Sequence, residues 1–394
     1  MDAFYASVEL LRYTELRGRA VVIGGGRRHQ PVQRADGTRE FAVLRDYAGR
    51  GVITTSTYEA RALGVHSGMG VMKAAQLAPN AVLLPVDFDQ YRAFSRQFKA
   101  AVRALAPLVE DRGIDEIYVD LSDFPGARQD GGRAAAQALK DAVRSATGLS
   151  CSVGVTPNKL LSKICSDLDK PDGLTLLTAA DLAVRIWPLP ARKINGIGPK
   201  ATARLAVLGL HSIGDVAGAD PQFLLEQFGR SYGAWLHQAA NGHDDRPVVT
   251  HSEPKSISRE TTFERDLHAV RDRRELGAIF TALCGQLADD LGRKGYVGKT
   301  IGIKLRFDDF KSVTRDLTLL AHTGDAQAIR RAAGACLKRV DLTRRLRLLG
   351  VRAGALVKLS DLPTRPADDP DTASRWALRR GDTLPLFDAV LPSE

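Results

Sequence analysis

Two kinds of apolar pattern alternate along the chain, and the points where one gives way to the other divide it. In residues 1–165, short apolar runs bounded by turn residues predict strands: Ala20-Val21-Val22-Ile23, Gly51-Val52-Ile53-Thr54, Ile117-Tyr118-Val119-Asp120-Leu121 and Ser150-Cys151-Ser152-Val153-Gly154-Val155. Helical stretches lie between them, so this part reads as α+β. From about Asp167 to Gly242 the pattern is almost wholly helical, with stops at Gly173, Gly209 and Gly242. Asp244-Asp245-Arg246-Pro247 through Pro254 is polar and proline-punctuated, which predicts a linker. Residues 255–356 return to α+β. There Ile301, Ile303, Leu305 and Phe307 alternate with Gly302, Lys304 and Arg306, predicting a strand with one core face and one basic face. The tail from Ser360 to Glu394 is rich in Pro and Asp and reads as unstructured apart from one apolar cluster.

The composition narrows the class without naming a function. With 394 residues, 44% apolar and 26% charged, the chain is long enough for several packed domains and is neither disordered nor fibrous in make-up. Its 56 Lys and Arg exceed its 46 Asp and Glu, giving a net charge of +10 that suits a polyanionic partner. Cys151, Cys165, Cys284 and Cys336 are far apart with no C-x-x-C pair, so neither a zinc site nor a disulfide framework is predicted, and a reducing cytoplasm fits. No apolar run approaches a membrane span, and the N-terminus reads as no signal peptide.

Several short motifs could carry chemistry. Asp115 and Glu116 precede an apolar strand, and adjacent strand residues point to opposite faces, so both reach one site only at a strand end or irregular step. There they suit Mg²⁺, which takes one or two carboxylates and fills its shell with water and phosphate; two solvated turn residues are the plainer reading. Ser56-Thr57-Tyr58-Glu59 fits a capping box for a helix running to Gly64, which sets Tyr58 and Arg61 on one face where a phenol and a guanidinium suit a triphosphate. Thr156-Pro157 predicts the start of another helix ending before Pro171, with Lys163, Asp167 and Lys170 in one stripe. Phe4 and Tyr5 read alone as a core aromatic pair. Gly196-Ile197-Gly198 ahead of a helix is either an ordinary tight turn or a backbone cradle for a DNA phosphate. From Arg293 to Arg315 seven Lys and Arg stand against two acids, and Lys304 and Arg306 share the face away from the core.

In order along the chain, Met1-Asp2-Ala3-Phe4-Tyr5-Ala6-Ser7-Val8-Glu9, Tyr58-Glu59-Ala60-Arg61, Ile114-Asp115-Glu116-Ile117-Tyr118-Val119-Asp120, Ser162-Lys163 through Asp172-Gly173, and Ile194-Asn195-Gly196-Ile197-Gly198-Pro199-Lys200 resemble the motifs of Y-family translesion DNA polymerases of the bacterial DNA polymerase IV class. The resemblance covers nearly the whole chain. It implies an α+β right-hand polymerase: palm over 1–10 and 75–165, fingers over 11–74 with a basic, Gly-rich insertion at about 26–50 expected to be a mobile loop, a helical thumb with a helix-hairpin-helix turn over 166–243, a linker at 244–254, a little finger over 255–358 and a flexible tail over 359–394.

The same resemblance implies the site. Asp115, Glu116 and the backbone carbonyl of Met1 would hold two Mg²⁺ ions; Tyr5, with Phe4 beside it, would be the steric gate under the incoming sugar; Tyr58, Arg61 and Lys170 would grip the triphosphate, with Asp2, Lys163 and Asp167 supporting. Gly196, Gly198, Lys200, Lys304 and Arg306 would contact primer-template DNA, and Leu384, Leu386 and Phe387 of Thr383-Leu384-Pro385-Leu386-Phe387 would dock a sliding clamp. The implied reaction is low-fidelity extension of a primer across damaged template with dNTPs, by a cytoplasmic monomer. The family pattern also has an Asp immediately before Met1; Asp2 lies about 6.6 Å further along the strand and is not a substitute, and a true start upstream is expected. Two other readings stand beside this one: a DNA- or clamp-binding paralogue without turnover, and a palm-type transferase such as a nucleotide cyclase, which would leave the Gly196–Gly198 turn and the basic C-terminal region without a purpose.

Overall fold

The computed structural model describes residues 1–362 apart from Arg27 and Arg128. It divides into two compact units, Met1–Ser252 and a second beginning at Glu253. Leu384, Leu386 and Phe387 lie outside the described residues.

The first unit opens with helix α1 (Phe4–Arg12), then β1 (Val21–Gly24), β2 (Val32–Gln33), β3 (Arg39–Glu40), β4 (Ile53–Ser56), α2 (Tyr58–Ala62), α3 (Val71–Leu77) and β5 (Val82–Leu84). β1 is the middle strand of three, antiparallel to β4 and parallel to β5. It is buried along its whole length, as a continuous Val-Val-Ile run requires. Where a loop was expected at 26–50, Val32–Gln33 and Arg39–Glu40 pair as a short hairpin whose Arg39 holds Glu15 at 2.9 Å.

Next come α4 (Phe88–Leu105), β6 (Val109–Asp111), β7 (Ile117–Val119), α5 (Arg133–Thr147), β8 (Val153–Val155), α6 (Lys159–Cys165) and β9 (Leu174–Leu176). β6 and β7 form an antiparallel hairpin, and β8 and β9 a parallel pair. Helices α4 and α5 bury Phe98, Val102, Leu139 and Val143 against Cys151. The predicted helix of 156–170 is shorter: Thr156 does not cap it, the Asn158 side chain does by accepting from Leu161 N–H, and it ends at Cys165, so Asp167 and Lys170 sit in the turns beyond it. The stretch from Asp167 is also less helical than predicted, because Leu174–Leu176 is drawn into a strand beside β8. Helices α7 (Pro199–Val207), α8 (Ile213–Ala217), α9 (Pro221–Phe228) and α10 (Arg230–Ala240) then pack around Leu205, Ile213, Leu224 and Leu236.

The residues after α10 are strapped to this unit. Lys159, on α6, donates to the Glu110 carboxylate and to the Pro247 carbonyl, both at 2.7 Å, and Glu110 also accepts from Val249 N–H at 2.9 Å. Both charged side chains are about nine-tenths buried.

The second unit contains β10 (Ser256–Leu267), α11 (Arg273–Lys294), β11 (Tyr296–Phe307), β12 (Ser312–Thr323), α12 (Ala326–Leu337) and β13 (Leu346–Lys358). The strands form an antiparallel sheet in the order β10-β13-β11-β12. α11 buries Leu276, Phe280, Leu283, Leu287 and Leu291 at helical spacing, and these meet Ile301, Ile303, Leu305 and Phe307 of β11. The other face of the sheet is open and carries Lys304 and Arg306. Gly302 pairs with Asp316 on one side and Arg352 on the other, and a Cβ there would fall 1.9 Å from the Asp316 carboxylate. The bare backbone lets Asp316 and Arg352 join over it at 2.8 Å. Lys304 and Glu260 meet in the same way across Gly350, at 2.9 Å.

All four cysteines are buried and unpaired. Among the described residues no helix is long and apolar enough to cross a membrane.

Burial pushes the Glu110 carboxyl up, but Lys159, Val249 N–H and Arg112 overrule it and hold it below the usual glutamate range. A depressed carboxyl contributes stability above its unfolded value and loses it as pH falls through its folded value. Glu110→Gln, which strands the Lys159 ammonium, is therefore expected to cost about 3 kcal/mol at neutral pH. The gap should narrow as pH drops below about 4; urea unfolding of the two proteins across pH checks it.

Candidate functional site

The chain enters α1 through Ala3, whose φ of 39° is left-handed, so Met1 and Asp2 run extended before the helix turns away. Met1 N donates to the Asp115 carbonyl at 2.8 Å and Asp2 N to the Ser150 carbonyl at 3.2 Å, setting the first two residues between the β6–β7 turn and the approach to β8. The Asp2 side chain is 2% exposed. It accepts from Ser150 Oγ at 2.9 Å, Ser152 Oγ at 2.7 Å and Asp172 N–H at 2.9 Å, which spends both oxygens on the protein itself.

Asp115 and Glu116 lie in the turn just before β7 begins at Ile117, the strand-end position that lets neighbours share a site. Both line one cavity of about 650 Å³ together with Met1, Ser152, Lys163 and Lys170. Lys163, on α6, donates to Glu116 rather than to Asp167. Lys170 pairs instead with Asp167 at 2.6 Å, and although burial alone would lower the ammonium, that carboxylate keeps it raised and charged.

Tyr5 stacks on Tyr91 with ring centroids 4.4 Å apart and meets Phe88 edge-on at 6.0 Å. Burial raises its phenol, and the charge of Asp115 raises it further, which puts Tyr5 within the field of the carboxylate turn. Phe4, expected beside a nucleotide, is 3% exposed and sits in the core against Phe98. α2 starts one residue later than predicted: Thr57, not Ser56, is the cap, and Ser56 Oγ instead donates to the Val65 carbonyl. α2 is only five residues long, so what Tyr58 and Arg61 could offer a ligand is their side chains rather than a helix dipole.

Arg61 lies over the Tyr58 ring at 4.8 Å and donates to the Ser56 carbonyl at 3.1 Å. These two do not line the carboxylate cavity; they stand beside it, where burial raises the Tyr58 phenol, Asp2 adds to the rise, and Arg61 and Lys170 oppose it. The Tyr58 hydroxyl is buried without a hydrogen-bond partner among the described residues.

The Gly196–Gly198 turn precedes α7, which has Gly198 as cap and Pro199 at its first position. Gly196 has φ 117°, and a Cβ there would meet the Trp235 ring at 2.7 Å; Tyr232 Oη donates to its carbonyl at 3.0 Å. Nothing stands within 4 Å of where a Gly198 Cβ would be, so the turn is open on that side, and Lys200 beside it is exposed. In the second unit Lys304 is engaged by Glu260, while Arg306 donates to Ser312 Oγ at 3.1 Å.

Tyr91 and Lys140 escaped the sequence reading. Tyr91 is fully buried under Tyr5 with its hydroxyl donating to Glu9 at 2.7 Å. Lys140 sits on the buried face of α5 with Ala136, Leu139 and Val143, and a lysine inside an apolar stripe is the signal that could have found it. Among the described residues no group of three or more His, Cys, Asp or Glu converges. The donor set at Asp115 and Glu116 is nevertheless hard carboxylate oxygen on the same cavity as the cations Lys163 and Lys170, which fits Mg²⁺ sharing its shell with a phosphorylated ligand.

Residues 1–167 match the model of the impB/mucB/samB family, and residues 254–365 that of the impB/mucB/samB family C-terminal domain. The chain is 39% identical over 359 residues to a DNA polymerase IV of Methanoculleus marisnigri, covering 90% of this chain and 92% of that one. It is 37% identical over 384 residues to a DNA polymerase IV of Streptomyces coelicolor, covering 94% and 75%. Among solved structures, the chimera Dbh-Dpo4(243-245)-Dbh of Y-family DNA polymerases matches with a TM-score of 0.75 at 24% identity over 91% of this chain and 98% of the chimera, a likeness of fold. The ternary insertion complex of Dbh DNA polymerase matches at 0.62, also at 24% identity, over 91% and 97%.

An unpaired buried hydroxyl costs stability that its removal returns. Tyr58→Phe is expected to leave thermal unfolding unchanged or to stabilise the protein by up to about 1 kcal/mol. A lower melting temperature would mean that the hydroxyl is partnered within the protein.

Proposed function

Because the chain belongs to the impB/mucB/samB family of Y-family DNA polymerases, we propose that the cavity at Asp115 and Glu116 is where it joins an incoming dNTP to a primer end. The chain is a template-directed, low-fidelity translesion DNA polymerase with the multidomain α+β fold of that family. The observation that carries the site is the gathering of Asp115, Glu116, Lys163 and Lys170 on one cavity, with the unpartnered Tyr58 hydroxyl beside it.

Asp115, Glu116 and the Met1 carbonyl are the groups that would hold two Mg²⁺ ions, which when bound lower the pKa of the primer 3′-hydroxyl and offset charge on the leaving pyrophosphate. Lys170, Arg61 and the Tyr58 hydroxyl bind the triphosphate through charge-assisted hydrogen bonds. Lys163 orients Glu116 until substrate enters, and Asp167 keeps the Lys170 ammonium charged and oriented. The Tyr5 ring supports the sugar and meets a ribose 2′-hydroxyl as a clash. Gly196 and Gly198 offer backbone N–H groups to a DNA phosphate, with Lys200, Lys304 and Arg306 adding charge that reads no sequence. In this reading residues 1–10 and 75–165 form the palm, 11–74 the fingers, 166–243 the thumb and 255–358 the little finger. The segment Thr383–Phe387 docks the sliding clamp. A DNA template and four buried, unpaired thiols both suit the cytoplasm.

Asp115→Asn and Glu116→Gln are each expected to lower single-nucleotide insertion about a hundredfold or more while leaving primer-template affinity unchanged; gel-resolved primer extension beside a binding assay checks both. Tyr5→Ala should admit ribonucleotides that the parent rejects. Among the described residues no third acidic, His or Cys side chain converges with Asp115 and Glu116, which is the one observation that favours a DNA-binding paralogue without turnover. Tight primer-template binding with no extension at all by the parent chain would establish that second reading.

A further inference from the structure

The site contains a lysine that no substrate-facing role accounts for. Lys140 leaves α5 on its buried face and is 6% exposed. Its ammonium donates to the carbonyls of Cys151 at 2.8 Å, Asp172 at 2.6 Å and Gly173 at 3.1 Å, and to the Asp172 carboxylate at 2.8 Å. A buried charge is tolerated only with such a full set of partners. Three of these four acceptors belong to residues 172 and 173, two and three positions beyond Lys170.

That loop has little freedom of its own. Asp172 holds a left-handed φ of 56°, which a non-glycine residue adopts only when its surroundings impose it. A Cβ on Gly173 would fall 2.3 Å from the Asp169 carbonyl, so the chain is folded tightly back on itself there. Asp2 takes the Asp172 N–H and Ser152 Oγ takes the Gly173 N–H. One buried cation thus reaches the carbonyls of both residues 172 and 173, the second of which also accepts from Val153 N–H at 3.0 Å, while their N–H groups are held by other partners.

We propose that Lys140 is a positioning residue for nucleotide binding: by fixing the carbonyls of Asp172 and Gly173 it sets where the Lys170 ammonium meets the triphosphate. Lys140 does not itself line the cavity. Its effect on the nucleotide passes through Lys170, and the proposal rests on the reading of Lys170 as a phosphate ligand.

Single-turnover insertion by the full chain gives the apparent dissociation constant for dNTP, and thermal unfolding is followed alongside. Lys170→Met and Lys140→Met are each expected to raise that constant about tenfold, with primer-template affinity unchanged. The double variant should be no weaker than Lys170→Met alone, since coupled residues are not additive. Additive effects, or a lower melting temperature with an unchanged dNTP constant, would show that Lys140 only stabilises the fold and would overturn the proposal. If Lys170→Met leaves the constant unchanged, the phosphate role of Lys170 fails and the proposal falls with it. Should Lys140→Met not fold, Asp172→Asn loosens the same grip together with the Arg144 pair, for which Arg144→Met is the control; a rise in the dNTP constant in Asp172→Asn but not in Arg144→Met, and lost in the Lys170→Met background, supports the proposal, and an unchanged constant or an equal rise in both overturns it.

Discussion

One buried carboxylate joins the segments that make the site. Asp2, almost without solvent exposure, receives hydrogen bonds from Ser150, Ser152 and Asp172. An ionised carboxylate is expensive to bury unless donors replace its water, so the start of the chain, the approach to β8 and the loop after Lys170 are obliged to stay together. The turn bearing Asp115 is tied to the same point through Met1 N. The distance between the carboxylates and the cations of the cavity thus follows from how one acid in the interior is satisfied.

Around that anchor the charges are arranged in pairs that substrate would have to divide. Lys163 is occupied by Glu116 and Lys170 by Asp167. Each of these two cations lines the cavity and is held there in an ion pair. In the proposed reading, a triphosphate taking over one partner from each pair would find little side-chain entropy left to lose. Tyr58 differs, because its buried hydroxyl has no hydrogen-bond partner among the described residues.

Much of this was legible in the residues. The alternation over Ile301–Phe307 gave a strand with one buried and one basic face, and the position of Asp115 and Glu116 immediately ahead of an apolar run gave a strand end. The helix starts were less legible because a cap is chosen by tertiary bonding as well as by residue type. Thr57 caps α2 because its backbone N–H and hydroxyl are already bonded to β1, while Ser56 is spent on the Val65 carbonyl. The stripe of Lys163, Asp167 and Lys170 failed for a related reason: α6 stops at Cys165, Lys163 finds its partner in Glu116 on another segment, and Asp167 and Lys170 pair with each other beyond the helix. Tyr91 was invisible because nothing local in the sequence marks a hydroxyl whose partner, Glu9, lies 82 residues away, whereas Lys140 was marked only by its place in the apolar stripe of α5.

The ion pairs on the open face of the second unit carry a last implication. Glycines at 302 and 350 allow Asp316 with Arg352, and Glu260 with Lys304, to clasp across an intervening strand. Each of these cations brings a resident anion to any encounter. A polyelectrolyte drawn to this surface would exchange a carboxylate for one of its own groups, with fewer small ions set free than a tally of the basic side chains suggests. Its grip there should accordingly respond more gently to ionic strength than the charge of the segment alone implies.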